Sequence, residues 1–339
     1  MKGTRMTEKK VLKAEGVGEL IGGVTALLGF MPAHSLVIAP FVGHRALSAL
    51  RMDLHTDPEA RAAMVATAMG VTCRVNGVTG FAAIVYTDGT EAEHQPLASD
   101  LMLAAEFIGL EVVELAYVTP TGWGGFFEGS ERPLDSLPAL PGPDLIKDGD
   151  QSTGASLPVV DESLRMKILA ASLPDVTTVD LNALFEEVLT WDPQALEAPK
   201  AALLAGVISL PMFRDAALVQ WATNAAFGKE GLAAQRAFAD GTPVPDHIGD
   251  VLLGKAPRPQ IGRLKAALAV CRVLAAHTPA ADRAALLTAC TWLSWAMGNS
   301  THATFYVDLA QKADPSLSMA HLLAEVLNVG MLPDWVFTA

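Results

Sequence analysis

The apolar residues of this chain change their spacing near its middle, and this change limits the folds that the chain can adopt. Up to about residue 130, short runs typical of β-strands alternate with segments of helical period. Beyond about residue 160, the apolar segments all have helical spacing. With 339 residues, the chain is also too long for one ordinary core. We therefore predict an N-terminal mixed-sheet α/β domain, of the α+β or α/β class, followed by an all-α helical bundle.

The clearest local transition is the run from Leu28 to Ile38, where a helical pattern stops at Gly29, passes a turn containing Pro32 and continues as a strand. Further along, Asp57 and Pro58 predict a helix start, because Asp is a favoured N-cap and Pro suits the first helical position. Another helix is predicted to begin after Pro96. The patterns predict helices at 15–28, 57–73 and 97–109, and strands at 35–41, 46–54, 80–87, 111–119 and 122–127.

A segment rich in proline, glycine and serine separates the two halves, and we predict a linker or long loop over residues 131–160. Residues 1–14 are predicted to be a flexible polar leader, 15–130 the α/β domain and 161–339 the helical domain. Helices are predicted in the second half at 162–171, 181–189, 194–209, 215–227, 246–253, 258–276, 280–297, 303–312 and 316–329.

One helical segment has a more specific pattern. Ala303, Tyr306 and Ala310, followed by Asp314-Pro315, have the spacing of the second helix of a tetratricopeptide repeat. Small residues let paired helices approach, and the aromatic ring fills the space between them. The pattern occurs once with clarity, so we predict a tetratricopeptide-like hairpin inside an irregular bundle rather than a long solenoid.

The charge balance bears on the partners that the protein can bind. The chain has 24 Lys and Arg against 37 Asp and Glu, a formal net charge of -13. Binding to the phosphate backbone of a nucleic acid requires clustered basic residues, so we predict no nucleic-acid partner.

Two apolar stretches could be taken for membrane segments. Glycines and Pro32 interrupt the one at 20–40, and the one at 201–213 is too short to span a membrane. We predict no signal peptide, no membrane segment and a cytoplasmic location.

The three cysteines, Cys73, Cys271 and Cys290, are far apart in the sequence and lie in apolar surroundings. No C-x-x-C pair and no cluster of Cys with His is present, so neither a disulfide framework nor a zinc site is indicated. We expect three buried, reduced thiols, and we predict no cofactor and no metal.

The chain resembles a domain family of unknown function from high-GC Gram-positive bacteria and their phages. The N-terminal part of the resemblance is the run Leu28-Gly29-Phe30-x-Pro32-x-x-Ser35-Leu36-Val37 with Arg51-x-Asp53-Leu54. The C-terminal part is Leu293-x-Trp295-x-x-Gly298, followed by Ala310, Asp314-Pro315 and Leu322-Leu323. Many members of the family carry a cysteine-rich turn after an aromatic strand, whereas the corresponding residues 128–134 contain no cysteine. The resemblance implies a fold and no transferable activity.

The turn from Gly29 to Ser35 is the strongest candidate ligand or partner site, and it includes Phe30, Pro32 and His34. His34 and Ser35 are a base and a nucleophile in residue type, but neighbours on a strand point to opposite faces. The nucleophile-elbow sequence G-x-S-x-G is absent. The alternative is a structural turn in which Ser35 bonds to the local backbone.

Three further polar residues follow on a predicted strand. Arg51 and Asp53 are two residues apart and share a face, as does His55, so they could present a guanidinium and a carboxylate to a ligand. An ion pair at the edge of the sheet is the alternative. Asp53 and His55 could also bind a metal if a third ligand joined them, and the sequence indicates none. Trp123 lies among glycines that do not match a phosphate-binding loop, and it either stacks on a ligand or packs on the sheet.

Two functions of different kinds remain open. The first is a non-enzymatic interaction or regulatory protein, which binds a protein partner or a second copy of itself through the helical domain. The second is a small-molecule hydrolase or transferase, with its site at the strand ends of the α/β domain. The absence of a catalytic signature favours the first function.

Overall fold

The computed structural model describes residues 16–46, 48–129, 131–138 and 149–337. The chain divides into two compact units, with the break between Thr153 and Gly154. We call residues 1–153 the α/β unit and residues 154–338 the helical unit, and we describe each by itself. The break falls inside the segment 131–160 that the sequence predicts to be a linker. The predicted leader at 1–14 lies outside the described residues.

The α/β unit is built on one mixed sheet, as the sequence predicts, and the sheet has seven strands where five are predicted. The strands are β1 (Ser35–Val42), β2 (Arg45–Ala46), β3 (Leu50–Asp53), β4 (Gly80–Tyr86), β5 (Glu111–Val118), β6 (Gly122–Gly125) and β7 (Arg132–Pro133). Their order is β2-β1-β4-β5-β6-β7, and β3 also pairs with β1. Among the described pairs only β4 and β5 are parallel, because helix α3 (Glu91–Ile108) connects them as a crossover.

Helices cover both faces of this sheet. Helix α1 (Val17–Leu28) packs on one face, where Ile21 and Val24 meet Val37 and Ile84. Helices α2 (Pro58–Cys73) and α3 (Glu91–Ile108) pack on the other face, where Leu36, Phe81 and Leu115 are buried. Residues that alternate along each strand thus contribute to two cores, which explains why β1 and β4 are apolar almost throughout.

The helix start predicted at Asp57 is confirmed, because its carboxylate accepts hydrogen bonds from the amides of Glu59 and Ala60 at 3.1 and 3.0 Å. The predicted strand at 46–54 is instead two short strands, β2 and β3, with residues 48 and 49 outside both. The prediction that α3 begins after Pro96 is wrong, since the helix starts at Glu91. Pro96 removes one helical hydrogen bond, but Ala92, whose carbonyl loses its donor, is exposed to water.

The helical unit contains α-helices only, apart from short 3₁₀ turns, within the residues described. Most boundaries agree with the predicted ones to within a few residues, but α8 is largely missed and α7 begins four residues early. The helices are α4 (Glu162–Ala170), α5 (Leu181–Val188), α6 (Ala198–Ser209), α7 (Pro211–Ala222), α8 (Ala225–Ala239), α9 (Asp246–Leu252), α10 (Ile261–His277), α11 (Ala284–Ala296), α12 (Ser300–Ala313) and α13 (Ser318–Asn328).

The hairpin that the sequence likens to a tetratricopeptide repeat is formed by α11 and α12. Gly298 joins the two helices in the left-handed region, with φ 79°. Ala303, Tyr306 and Ala310 are fully buried on the inner face of α12. All 13 residues of α11 are buried. The hairpin therefore forms the centre of the bundle, in agreement with the predicted irregular bundle.

Two further expectations concern cysteines and membrane segments. Cys271 and Cys290 are buried, as expected, but Cys73 at the end of α2 is exposed, so the expectation of three buried thiols is wrong.

Within the described part of the chain, no single helix has the length and apolar character needed to cross a membrane. Helices α6 and α7 meet these criteria only together, and a bend of 107° separates them.

Candidate functional site

The predicted site residues of the α/β unit gather where several strands begin or end. In the sheet register, Ser35 at the start of β1 lies opposite Asp53 at the end of β3 and opposite Tyr86 at the end of β4. Tyr86 in turn pairs with Val118 at the end of β5. We call this side of the sheet, with the turns that follow it, the strand-end edge. Ligands of open α/β sheets commonly bind at the carboxyl ends of parallel strands.

The turn from Gly29 to Ser35 is held in place at several points. Gly29 ends α1 in the left-handed region, and its amide donates to the carbonyl of Thr25. The side-chain amide of Gln151 makes two hydrogen bonds with the backbone of Ala33, each 3.0 Å long. Pro32 is buried and Phe30 is half-buried. These contacts make the turn a fixed part of the edge.

Ser35 uses its hydroxyl group inside the protein. The side chain is fully buried, donates to the carbonyl oxygen of Ala33 at 2.7 Å and accepts from Nε of Arg51 at 2.8 Å. Ser35 therefore makes the local backbone bond that the structural alternative predicts. A catalytic serine needs a base beside its hydroxyl and access to substrate, and neither contact supplies them.

The side chains of His34 and Ser35 have different partners. His34 precedes β1, so the alternation of side chains along a strand, from which the sequence predicts opposite faces, does not apply to it. Its Nε2 atom lies 3.0 Å from Oδ2 of Asp88, and both side chains are exposed. The backbone of His34 has φ 45°, a left-handed conformation that costs free energy in a residue other than glycine. The hydrogen bond from the amide of Leu54 to the carbonyl of His34, at 3.0 Å, helps hold this conformation.

Arg51 and Asp53 contact each other, as their shared face predicts. Nη2 of Arg51 lies 2.5 Å from Oδ1 of Asp53, and the Arg51 side chain is only 9% exposed, whereas that of Asp53 is 72% exposed. His55 follows the end of β3 and is exposed. Among the residues that the structure describes, no three His, Cys, Asp or Glu side chains are placed to hold a metal ion. Asp53 and His55 thus have no third ligand there.

A buried pair at this edge is not identified by the sequence patterns. Nε2 of His94, on the first turns of α3, lies 2.8 Å from Oγ1 of Thr87, which also accepts from the amide of Gly89. Burial lowers the pKa of His94 below its usual 6.5, and the nearby carboxylate of Glu93 opposes that change. The pair links the end of β4 to the start of α3, and burial of the imidazole favours its neutral form.

The end of β5 carries a second group of polar side chains. Thr119 and Thr121 both donate to the carboxylate of Glu131, at 3.2 and 2.8 Å. The hydroxyl of Thr119 also accepts from the amide of Gly122 at 3.0 Å. The signal that could reveal these residues is their position, because Thr87 and Thr119 are the last residues of the predicted strands 80–87 and 111–119.

The glycines around Trp123 have a packing role. A Cβ atom on Gly122 would lie 2.3 Å from the carbonyl oxygen of Arg132, and one on Gly124 would lie 2.7 Å from the hydroxyl of Tyr117. The indole of Trp123 is buried against α1 and donates to Ser136, while the guanidinium of Arg132 stacks on its ring. Trp123 therefore packs on the sheet, which is the structural alternative that the sequence left open.

Taken together, the strand-end edge is a set of polar side chains that bond mainly to one another and to nearby backbone. The polar groups that face solvent there include the carboxylates of Asp53, Asp88 and Glu131 and the imidazoles of His34 and His55. The buried hydroxyl, guanidinium and imidazole hold the turns in place.

Comparison with known proteins identifies a family and no described function. The model of a family described as a domain of unknown function, DUF4192, matches residues 18–247 and 260–334. No curated protein and no solved structure matches the chain significantly. Because the matched residues cover most of both units, the chain belongs to the DUF4192 family.

Proposed function

We propose that this protein is a non-enzymatic binding protein whose helical unit holds a short segment of a partner protein. The observation that carries the proposal is the state of Ser35, which is buried and uses its hydroxyl in hydrogen bonds with Ala33 and Arg51. At the strand-end edge, where a small-molecule hydrolase or transferase with an open α/β sheet would hold its nucleophile, Ser35 is part of a structural network.

A cleft of about 380 Å³ on the helical unit supplies the binding surface. Its lining is largely apolar and comes from the segment before α4, from α4, from the α5–α6 loop and from α10, with residues Pro158, Val159, Asp161, Leu164, Pro193, Gln194, Ala269, Arg272, Val273 and His277. Within it, Val159 is 95% exposed. A valine exposed to this extent beside an apolar cleft supports recognition of another protein.

Two polar groups of this cleft, His277 and Asp161, already have partners. His277 accepts a hydrogen bond from the amide of Asp161 at 3.0 Å through Nε2, and Nδ1 lies 2.7 Å from the carbonyl of Val273. The carboxylate of Asp161 accepts from the amides of Ser163 and Leu164 at the start of α4. Six of the ten lining residues are apolar, so an occupant gains mostly from apolar contact. The buried Nε of Arg272 has no hydrogen-bond acceptor among the described residues, and a backbone carbonyl of a bound peptide could supply one.

A second cleft, of about 220 Å³, extends the surface along the α5–α6 loop. Trp191 and Leu196 line it, while Pro193 and Gln194 of the same loop line the first cleft. Because one loop contributes to both clefts, a single segment with two apolar anchors can occupy them together. We propose such a segment, with one anchor in each cleft, as the occupant.

The test is affinity capture with the full-length protein from an extract of its source, followed by mass spectrometry of the retained proteins and small molecules. The proposal expects a stoichiometric protein that is lost with Val159→Asp, because a carboxylate beside the apolar cleft opposes binding. Val329→Asp is the matched control, since Val329 is also exposed, at 66%, but lies at the end of α13.

Two results would overturn the proposal. The first is a partner that binds Val159→Asp as well as it binds the wild type. The second is a retained small molecule, without a protein partner, that is lost with Asp53→Asn. That second result would favour the alternative function, a small-molecule hydrolase or transferase with its site at the strand-end edge, where Asp53 presents an exposed carboxylate.

A further inference from the structure

Helix α3 of the α/β unit has an apolar stripe on the side that faces away from the core. Its inner side buries Leu97, Leu101 and Ala105. Pro96, Leu103 and Phe107 are seven and four residues apart, so they lie along the opposite side of the helix. Leu103 is 64% exposed and Phe107 is 91% exposed. We call Pro96, Leu103 and Phe107 the α3 stripe.

The α3 stripe is unlike the outer face of an ordinary surface helix, which carries polar and charged residues. Leu103 and Phe107 are one helical turn apart, so their exposed side chains are neighbours on the helix surface. Grouped large apolar side chains on a surface mark interaction sites more often than single ones do. The stripe therefore points to a partner that covers it.

The charges near the stripe indicate the charge of the partner that would bind there. Between Arg74 and Arg132 the chain contains no lysine or arginine but nine acidic residues, namely Asp88, Glu91, Glu93, Asp100, Glu106, Glu111, Glu114, Glu128 and Glu131. Of those on α3, Asp100 is paired with Arg61 of α2 at 2.7 Å. Glu93 and Glu106 are exposed on the two sides of the stripe.

We propose that the α3 stripe binds a basic amphipathic helix of another protein. The apolar side of such a helix would cover Leu103 and Phe107, and its lysines or arginines would face Glu93 and Glu106. A second copy of this chain is a poorer occupant, because a two-fold interface would bring the acidic flanks of both copies together. An anionic membrane surface would be repelled by the same glutamates.

The test uses a synthetic helical peptide of leucine and lysine, about 18 residues long, with the leucines on one side. Its binding to the full-length protein is measured by fluorescence anisotropy. A second peptide with each lysine replaced by glutamate gives the charge control. The proposal expects the lysine peptide to bind, the glutamate peptide to bind at least about tenfold more weakly, and added salt to weaken the first interaction.

Variants of exposed phenylalanines locate the binding surface. Phe107→Ser should weaken binding of the lysine peptide by about tenfold or more, because it removes the most exposed apolar group of the stripe. Phe238→Ser is the matched control, since Phe238 is 60% exposed on α8 of the helical unit. It should change the affinity by less than about twofold. Glu93→Lys with Glu106→Lys should reverse the preference between the two peptides.

Three results would overturn the proposal. Equal binding of the lysine peptide to the wild type and to Phe107→Ser would mean that the acidic charge alone attracts it. A wild-type dimer in sedimentation that Phe107→Ser dissociates would assign the stripe to a second copy. Binding to anionic phospholipid vesicles that requires Phe107 would assign it to a membrane.

Discussion

The two units use polar side chains in different places. In the α/β unit, Ser35, Arg51 and His94 meet their partners at one edge of the sheet. In the helical unit, four tryptophan indoles each donate to a backbone carbonyl of another segment, with Trp221 bonding to Phe185, Trp292 to Leu252, Trp295 to Met331 and Trp335 to Ala296. These indole contacts are distributed through the core of the helical unit, whereas the contacts of Ser35, Arg51 and His94 lie beside the turns of the α/β unit.

This difference bears on where function is to be sought. A collection of polar side chains at strand ends resembles a site, yet here the buried members hold the turns. In the helical unit, Arg263, Glu186 and Gln220 likewise form a polar cluster, in which Arg263 donates to the carboxylate of Glu186 at 2.9 and 2.6 Å. The surface of this unit also carries a cleft of about 380 Å³ and a valine that is 95% exposed. In this molecule, apolar groups without a covering partner are therefore more informative about binding than polar groups that already have one.

The largest expected effect tests the indole contacts of the helical unit. Trp292 is fully buried, and its Nε1 donates to the carbonyl of Leu252 at 3.0 Å. Trp292→Ala should lower the free energy of unfolding by about 3–5 kcal/mol, because it leaves a large cavity in the core. Trp292→Phe should cost less, about 1–3 kcal/mol, chiefly from the unpaired carbonyl. Urea denaturation followed by circular dichroism measures both.

The control for this prediction is Trp191→Phe. Trp191 is half-buried, and its Nε1 contacts the carboxylate of Glu187 at 3.4 Å on the protein surface. Its replacement should change the free energy of unfolding by no more than about 0.5 kcal/mol. Equal losses for Trp292→Phe and Trp191→Phe would show that the interior indole bonds do not stabilise the helical unit more than a surface contact does.

The second prediction tests the strand-end edge. Ser35→Ala removes the acceptor of Nε of Arg51, whose side chain is only 9% exposed. The free energy of unfolding should fall by about 1–3 kcal/mol, because a buried donor loses its partner. Ser99→Ala on the exposed side of α3 is the matched control and should have almost no effect. No loss for Ser35→Ala would return Ser35 to the list of candidate functional groups.

The sequence predicts the parts of the fold that local chemistry determines. Asp57-Pro58 starts α2, and the apolar runs of β1, β4 and β5 fall where the strands lie. Helix α8 is mostly missed because it contains Gly228 and Gly231, which weaken a helical pattern. A Cβ atom at Gly228 would lie 2.4 Å from the side chain of Gln220, so close packing of α8 on α7 explains that glycine.

The candidate site is predictable only in part, because some of its contacts join residues that are distant in the sequence. Arg51 and Asp53 are two residues apart on one strand, so their spacing is sufficient to predict a shared face. The contacts of Arg51 with Ser35 and of His34 with Asp88 join residues 16 and 54 positions apart, and they depend on the strand order. One sequence indicates which residues end a strand but not which strands are neighbours.

The third prediction concerns pH and His94. Burial lowers the pKa of His94 in the folded protein, whereas in the unfolded chain it titrates near 6.5. As the pH falls through 6.5, the unfolded state takes up a proton that the folded state does not, so the free energy of unfolding decreases. His94→Gln, which keeps a donor for Thr87, should reduce this decrease between about pH 8 and pH 5.5.

Urea denaturation at several pH values measures the contribution of His94. The wild type and His94→Gln should converge as the pH falls, because the penalty for keeping His94 neutral is absent from the variant. Parallel curves over the whole range would show that another group causes the pH dependence. Thr87→Val removes the partner of His94 and should lower stability even at pH 8, where the imidazole is neutral in both states.

The smallest expected effect on stability comes from the thiols, which compare the surface of the α/β unit with the core of the helical unit. Cys73 is exposed at the end of α2, whereas Cys271 and Cys290 are buried in α10 and α11. Burial raises the pKa of Cys271 to about 12 and that of Cys290 well above its usual 9.0. Because the thiolate is the reactive form, a disulfide reagent at pH 8 should label one thiol in the folded protein and three in denaturant.

Cys73→Ser separates labelling of the exposed thiol from labelling of the two buried thiols. It should abolish rapid labelling of the folded protein while changing the free energy of unfolding by no more than about 0.5 kcal/mol, since the side chain is exposed. If Cys271 and Cys290 were labelled as fast as Cys73, the helices that bury them would have to open on the same timescale. The core around α11 would then be as accessible as the surface of the α/β unit, and its fully buried residues could no longer be treated as a rigid support for the neighbouring cleft.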